Sequence, residues 1–183
     1  MQSQKTPAWL CRSAALALAL VAVTVLWLYL VPVPAGQDQS CYFAMARLLE
    51  ETGTTRYAAF IDGETTGSFW VNDGHDAIWP VYAPGYPLLL AAARRLGGPG
   101  AEYWVTPIAF FLLLLAVFAL ARRFLPAWWA LLATFLFAVS PALFLNAQLQ
   151  NTHVVGCLLT VAALVLATAR GGRPRPLAAA FCG

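Results

Sequence analysis

The side chains able to carry acid–base or metal chemistry are concentrated in one stretch. All eight acids of this 183-residue chain lie between residues 38 and 102. Asp38 opens that stretch, where an aspartate can cap a helix or act as a general base or metal ligand. Asp73 and Asp76 flank a histidine and are candidate ligands of a hard cation, although an Asn-Asp-Gly segment is also common in turns. His153 ends a run of polar residues and is either a catalytic group or an interfacial histidine.

A second group of candidates would contact a substrate rather than react with it. Arg94 and Arg95 end a short predicted helix, where they can pair with a phosphate or simply complement the helix C-terminus. The segment Trp79–Pro87 is dense in aromatic residues and prolines. Its Tyr82 and Tyr86 can stack on a sugar or cover a lipid, and the alternative is a rigid anchor at the membrane interface.

The elements that must position these residues are those of a membrane protein. The chain is 61% hydrophobic and only 10% charged, whereas soluble domains are about 45–50% apolar and about 25% charged. This composition excludes a soluble globular enzyme, a disordered region and a nucleic-acid-binding module. The four cysteines form no C-x-x-C pair, so the sequence predicts neither a disulfide framework nor a zinc site.

Four apolar runs lack charged residues and histidine and are close to the length needed to cross the hydrocarbon core, about 20 residues. The first is longer than the apolar region of a signal peptide and is predicted to be a retained span. A transporter or channel would place ionisable residues within its spans, so their absence weighs against that class. The predicted spans are residues 13–33, 104–121, 127–145 and 154–169, and residues 177–183 begin a further apolar run, which is expected of a fragment of a longer protein.

Basic residues orient these spans, because lysine and arginine favour cytoplasmic ends. The seven basic residues outside the acidic stretch all flank the cytoplasm if the N-terminus is cytoplasmic. Residues 34–103 and 146–153 then form outer loops on the non-cytoplasmic side. Pro87–Leu96 would be a helix of about 15 Å, too short to span, and is predicted to lie on the outer membrane surface.

The long first outer loop is expected to carry structure of its own. Asp38–Thr52 has apolar residues at i, i+3, i+4 and i+7 and is predicted to be a helix, with Asp38 or Ser40 as its N-cap and Gly53 at its end. Residues 54–83 are rich in Gly, Thr and Asp and predict an irregular loop. The expected fold is an all-α integral membrane protein, a polytopic helical bundle whose long first extracytoplasmic loop carries short surface helices.

Three segments, taken in order, resemble a known family. They are Gly36–Tyr42 after the first span, Tyr82–Leu90 before a helix ending near Gly97, and Ser140–Pro141 before the second outer loop. The chain resembles the N-terminal part of the GT-C glycosyltransferases, within them the protein mannosyltransferase, aminoarabinose transferase and RgtA/B/C/D-like group. The resemblance implies transfer of a sugar from a polyprenyl-phosphate donor to a glycan, lipid or protein acceptor on the non-cytoplasmic face. It implies that Asp38 takes part in catalysis or metal binding, with a divalent cation as candidate cofactor.

Two departures from the family pattern bear on the site. Gln39 follows Asp38 where many members have a second acid, and Gln148–His153 contains no acid where many members have one. Some members have Ser-His there, which His153 would match. The resemblance also implies a multi-pass protein of a bacterial inner membrane, whose partners are the bilayer and the donor lipid, with no nucleic acid. The alternatives are a transporter subunit and a non-catalytic polytopic membrane protein.

Overall fold

The computed structural model describes residues 8–30, 32–34, 36–58, 69–72 and 77–169. Within these residues the chain is mostly helical, with seven α-helices, a 3-10 helix at Ala101–Trp104 and one small sheet. The helices are α1 (Ala8–Leu28), α2 (Gln37–Thr52), α3 (Gly85–Gly97), α4 (Val105–Ala121), α5 (Ala127–Ala138), α6 (Pro141–Gln148) and α7 (Thr152–Ala167). The strands are β1 (Tyr57–Ala58), β2 (Trp70–Asn72) and β3 (Ala77–Pro80).

The sequence predicts one membrane domain over residues 1–183, whereas the chain groups into two compact units. The first, the apolar unit, comprises Met1–Leu30, Thr106–Gln148 and His153–Gly183. The second, the polar unit, comprises Val31–Val105 and Leu149–Thr152. The apolar unit therefore holds α1 and α4–α7, and the polar unit holds α2, α3, the 3-10 helix and the sheet.

The apolar unit is a helical cluster with a core of aliphatic and small side chains. Phe110 and Leu113 of α4 are fully buried in a cluster that includes Ala19 and Leu26 of α1. A second cluster joins the first turns of α1 to the end of α4 and the start of α5, through Cys11, Ala15, Phe118 and Ala130. Many large apolar side chains of this unit are exposed. Exposed apolar surface on this scale is typical of helices that face lipid.

Two described helices are long and apolar enough to cross a membrane, Trp9–Leu28 and Ala101–Ala121. The second agrees with the prediction of a span at residues 104–121. The first begins upstream of the predicted span 13–33 and ends at Leu28, short of the predicted end. α7, which covers most of the predicted span 154–169, has 16 residues and is shorter than those two helices. The predicted apolar run at residues 177–183 lies outside the described residues.

The segment predicted as a span over residues 127–145 is not one continuous helix. The segment is divided into α5 and α6, whose axes differ by 57°. Pro141 begins α6, and proline lacks the N–H that would continue α5 while its ring disfavours helical geometry at Ser140. The described residues contain two candidate spans, or three if this bent pair crosses as one.

The polar unit contains the second correction. Residues 54–83 were expected to be an irregular loop, but their described part forms an antiparallel sheet of strand order β1-β3-β2. Tyr57 pairs with Ile78 in one ladder, and Val71 pairs with Trp79 in the other. Aromatic and β-branched side chains favour this pleated arrangement. The fold is therefore mostly helical but not all-α.

The two helices predicted in the polar unit are confirmed. α2 spans Gln37–Thr52 and ends at Gly53, whose φ of 74° is the left-handed geometry that glycine adopts without strain. α3 spans Gly85–Gly97 and ends with two arginines in its last turn. α2 and α3 pack against each other, and α3 packs on the 3-10 helix.

Candidate functional site

Asp38 lies in the first turn of α2 and does not cap it. Gly36 is the N-cap, with an extended backbone, and no side chain caps the helix. Ser40 lies within the helix and donates its hydroxyl hydrogen to the Gly36 carbonyl at 3.0 Å. The prediction that Asp38 or Ser40 is the N-cap is therefore wrong. The exposed Asp38 carboxylate is available for other hydrogen bonds, and the helix dipole favours its negative charge.

Tyr82 supplies one such hydrogen bond across 44 residues of sequence. Its hydroxyl donates to Asp38 Oδ1 at 2.7 Å. The Tyr82 ring lies 4.8 Å from the Tyr42 ring and is stacked on Phe69 at 5.4 Å between centroids. Partial burial and the hydrogen bond to Asp38 both raise the pKa of the Tyr82 phenol. The phenol therefore remains a donor to the carboxylate throughout the physiological range.

A cleft of about 330 Å³ adjoins Asp38. This is within the size range of ligand pockets, roughly 300–1,000 Å³. The cleft, called here the Asp38 cleft, is lined by Gly36, Gln37, Asp38, Gln39, Leu149 and Asn151. It thus combines the first turn of α2 with the polar segment that the sequence places in the second outer loop.

Two buried glutamines join that segment to α2 and to the 3-10 helix. The Gln39 side-chain amide donates to the carbonyl of Leu149. The Gln150 side-chain amide donates to the carbonyl of Tyr103 at 3.2 Å. Gln150 has a φ of 48°, and its side-chain oxygen has no hydrogen-bond partner among the described residues. A non-glycine residue in this backbone region is strained, and such strain clusters at functional sites.

Cys41 follows the first turn of α2 but has the properties of a buried structural thiol. It is almost fully buried, and its Sγ–H donates to the Phe69 carbonyl at 3.9 Å. Burial, together with the nearby Asp38 charge, raises the pKa of the Cys41 thiol to about 11. Because the thiolate is the nucleophile, Cys41 does not provide one at neutral pH.

Arg94 is engaged by two carboxylates. Its Nε lies 2.6 Å from Glu50 Oε2, and its Nη1 pairs with Glu102 Oε1. Glu102 also accepts the Gly100 backbone N–H at 2.8 Å. The hydrogen bond with Glu50 is the main cause that raises the pKa of the Arg94 guanidinium. This network joins α2, α3 and the 3-10 helix, so the charge of Arg94 is neutralised without a ligand. Arg95, in contrast, is exposed.

The remaining sequence candidates fall in different places. Tyr86 is only 5% exposed and packs edge-on against Tyr42 at 5.4 Å, which favours a structural role. His153 belongs to the apolar unit, at the start of α7, with an exposed side chain. Asp73 and Asp76 lie outside the described residues. Within the described residues no three His, Cys, Asp or Glu side chains are grouped as a metal site, so metal binding by Asp38 stays a prediction.

The sequence did not predict the roles of Gln39, which lines the cleft, and of Tyr42, which packs on the tyrosine that binds Asp38. In the sequence, Gln39 is notable only as a departure from a family pattern. Tyr42 is notable only as one residue of the apolar stripe of α2. Both are buried on α2 within one turn of Asp38. A glutamine on the buried face of a helix is a usable signal, because a buried amide needs hydrogen-bond partners. The sequence around the glutamine does not show which residue that partner is, because Leu149 lies 110 residues further along the chain.

Comparison with models of protein families, with curated proteins and with solved structures finds no significant match to this chain.

Proposed function

We propose that this protein is a membrane glycosyltransferase that uses a polyprenyl-phosphate sugar as donor and acts on the non-cytoplasmic face. One observation carries the proposal. The hydrogen bond from Tyr82 to Asp38 joins the two segments on which the family resemblance chiefly rests, Gly36–Tyr42 and Tyr82–Leu90. The same carboxylate lines the Asp38 cleft together with Leu149 and Asn151. A motif acid beside a cleft of ligand size, oriented by a motif tyrosine, fits an active site better than a solvated helix end.

Asp38 is proposed as the general base. Its carboxylate takes the proton of the acceptor hydroxyl as that oxygen attacks the anomeric carbon of the sugar. The bond from the anomeric carbon to the phosphate oxygen breaks, and polyprenyl phosphate leaves with the electron pair. Tyr82 fixes the carboxylate and leaves Oδ2 for the acceptor. This chemistry inverts the anomeric centre, because attack and departure occur on opposite faces.

Arg95 is proposed to pair with the donor phosphate. It is exposed on α3, and no described acid forms an ion pair with it. Arg94 is not proposed for this role, since its guanidinium already binds Glu50 and Glu102. Stabilising the leaving phosphate with a cation supplies the second requirement of the reaction, after the base.

The proposed topology follows from the charge pattern. An N-terminus in the cytoplasm of a bacterium and a polar unit on the outer side of the inner membrane keep the basic flanks inside. The apolar helices support a bilayer environment. A multi-pass arrangement with the polar unit outside is part of the proposal.

Substitution Asp38→Asn tests the function. Asparagine preserves the shape and can still accept the Tyr82 hydrogen bond, but it cannot act as a base. Transfer of labelled sugar from polyprenyl-phosphate donors should fall by about 10²–10⁴-fold in membranes that contain equal amounts of the wild-type and variant proteins. Glu51→Gln is the matched control, because it removes an exposed carboxylate at the other end of α2.

Near-wild-type transfer by Asp38→Asn would reject Asp38 as the base and direct attention to Asp73, Asp76 and His153. Equal losses in Asp38→Asn and Glu51→Gln would indicate a general effect of charge on α2. Failure of the wild-type protein to transfer sugar from any polyprenyl-phosphate donor would reject the function itself.

A further inference from the structure

The apolar unit contains a cavity that the proposed transferase site does not use. It measures about 300 Å³ and lies between α1 and α5. Its walls are formed by Ala14, Leu18, Trp128, Leu131, Leu132 and Phe135. Because these side chains are aliphatic or aromatic, they offer an alkyl chain extensive contact. This cavity is called here the α1/α5 groove.

Three arginines belong to the same end of the apolar unit as the groove. The cluster of Cys11, Ala15, Phe118 and Ala130 shows that the first turns of α1 pack against the end of α4 and the start of α5. Arg12 is adjacent to Cys11 in α1, and two further arginines, Arg122 and Arg123, directly follow α4. Ala14 and Trp128 of the groove belong to these same turns of α1 and α5.

The arginines at this end have no acidic partner within their unit. All eight acids of the chain lie between residues 38 and 102, outside the apolar unit. Arg12, Arg122 and Arg123 are exposed. Among the described residues, the one side-chain bond at these positions runs from Arg122 Nη1 to the Leu125 carbonyl at 2.7 Å. Guanidinium groups carry five donors each, so this end of the unit is suited to an anion.

We propose that the α1/α5 groove and these arginines bind an anionic phospholipid of the bilayer. One acyl chain occupies the groove, and the phosphate is bound by Arg12, Arg122 and Arg123. Trp128 lines the groove and is also 66% exposed, as suits an indole at the level of the headgroups. Basic pockets between membrane helices on the cytoplasmic side are typical sites for anionic lipid headgroups.

Two arguments favour a phospholipid over the donor lipid of the proposed reaction. The charge pattern predicts that the end with the arginines is cytoplasmic, where anionic phospholipids are abundant. The proposed transfer requires its donor phosphate on the opposite side of the membrane. The lipid site therefore does not depend on the transferase proposal and can be tested without an activity assay.

Native mass spectrometry of the whole protein tests the site, with phosphatidylglycerol and phosphatidylcholine of identical acyl chains offered in detergent micelles. Wild-type protein should retain phosphatidylglycerol at least tenfold more strongly than phosphatidylcholine. Arg12→Gln and Arg123→Gln should each weaken phosphatidylglycerol binding by about fivefold. Arg47→Gln is the matched control, because it removes an exposed arginine of the polar unit, and it should leave binding unchanged.

The groove is tested separately. Ala14→Phe fills the groove. It should weaken the binding of both lipids while preserving the preference for phosphatidylglycerol. Leu132→Trp serves the same purpose if the first variant does not fold. Equal retention of the two lipids by wild-type protein would overturn the proposal. So would a preference that survives the Arg12→Gln/Arg123→Gln double substitution, or one that Arg47→Gln reduces equally. Displacement of phosphatidylglycerol by equimolar polyprenyl phosphate would assign the groove to the donor lipid instead.

Discussion

The first helices of the two units, α1 and α2, differ in which side chains they bury. In α1 of the apolar unit, the small residues Cys11, Ala15 and Ala19 are buried, whereas Leu16 and Leu20 beside them are exposed. In α2 of the polar unit the pattern is conventional, with Tyr42 and other large side chains inside and charged residues outside. Small residues at helix contacts and large ones facing outward are typical of packing in lipid, where apolar surface gains nothing from burial.

The units also differ in how polar groups are satisfied. Several side-chain hydrogen bonds of the apolar unit are local, as in Thr134 donating to the carbonyl of Ala130 one turn earlier. The polar unit has local bonds too, as in Ser40 with Gly36, but others join residues far apart in sequence, as in Arg94 with Glu50 and Tyr82 with Asp38. Local bonds keep each membrane helix self-sufficient, as lipid requires. Long-range bonds give the polar unit one specific arrangement, which a site for chemistry needs.

Among the substitutions considered, Glu102→Ala should have the largest effect on stability. Its side chain is 2% exposed, and it pairs with an Arg94 side chain that is 14% exposed. Removing one partner of a buried pair leaves an uncompensated charge, so Glu102→Ala should destabilise the polar unit by about 3–5 kcal/mol. Glu50→Ala is the matched control at the same arginine. Glu50 is 30% exposed, so its loss should cost no more than about 1 kcal/mol.

Amide hydrogen exchange in α3 measures both effects, because opening of this unit exposes the helix to solvent. Equal losses of protection in the two variants would show that the burial of Glu102 does not contribute. The polar unit would then resemble a loosely held loop rather than a specifically bonded one.

An arginine introduced at matched exposed positions tests the contrast between the units directly. Leu112 near the centre of α4 is 45% exposed, and Val71 in β2 is 53% exposed. If the first faces lipid, Leu112→Arg should raise the apparent free energy of membrane insertion by about 2.5–3.5 kcal/mol. Val71→Arg should change stability by less than about 0.5 kcal/mol. A glycosylation-based insertion assay of α4 and denaturation of the Val71→Arg protein would report these values. Tolerance of Leu112→Arg would remove α4 from the set of spans.

The helices were accessible to sequence reasoning, because their signals are local. α2 was predicted to within one residue from its 3.6-residue periodicity and Gly53. α3 follows from the proline at its start and the paired arginines at its end. The bend between α5 and α6 also has a local signal in Ser140–Pro141, but the uninterrupted apolar character of residues 127–145 favours a single helix.

The sheet and the cleft lacked such signals. Strands of two to four residues are too short to show alternation, and β1 pairs with a strand about twenty residues further along the chain. Asp38 was singled out as a candidate, but its contact with Tyr82 spans 44 residues. A single sequence does not contain that pairing, since either side chain is compatible with many partners. Candidate residue types could therefore be predicted, and their geometry could not.

The reactivity of Cys41 tests whether the interior of the polar unit is closed to solvent. The pKa of Cys41 is raised from 9.0 to about 11, so its thiolate fraction at pH 8 should be about 100-fold lower than that of an ordinary thiol. Alkylation of Cys41, in a variant whose other three cysteines are alanine, should be at least that much slower in the folded protein than after unfolding. Because the pKa is raised, the rate should continue to increase about tenfold per pH unit up to pH 10. A plateau near pH 9 would contradict a buried, perturbed thiol.

The smallest predicted effect on activity is that of substituting Tyr82. It tests whether the Tyr82 hydroxyl positions Asp38 or binds substrate. Tyr82→Phe removes the hydrogen bond to Asp38 and keeps the ring that packs on Tyr42 and Phe69. If Tyr82 positions the base, sugar transfer should show a kcat lowered by roughly tenfold with an unchanged KM, below the hundredfold that misplacement of a catalytic group can cost. Tyr42→Phe is the matched control in the same aromatic cluster, because no described residue bonds its hydroxyl, and it should leave both constants near wild type.

Tyr82→Leu separates positioning from substrate binding, because it removes the ring as well as the hydroxyl. If the ring also stacks on the sugar, KM should rise in Tyr82→Leu and not in Tyr82→Phe. A raised KM in Tyr82→Phe with unchanged kcat would mean that the hydroxyl binds substrate rather than orienting Asp38. Unchanged constants in both variants would leave the hydrogen bond with no part in transfer, and the polar unit would then hold Asp38 in place through α2 alone.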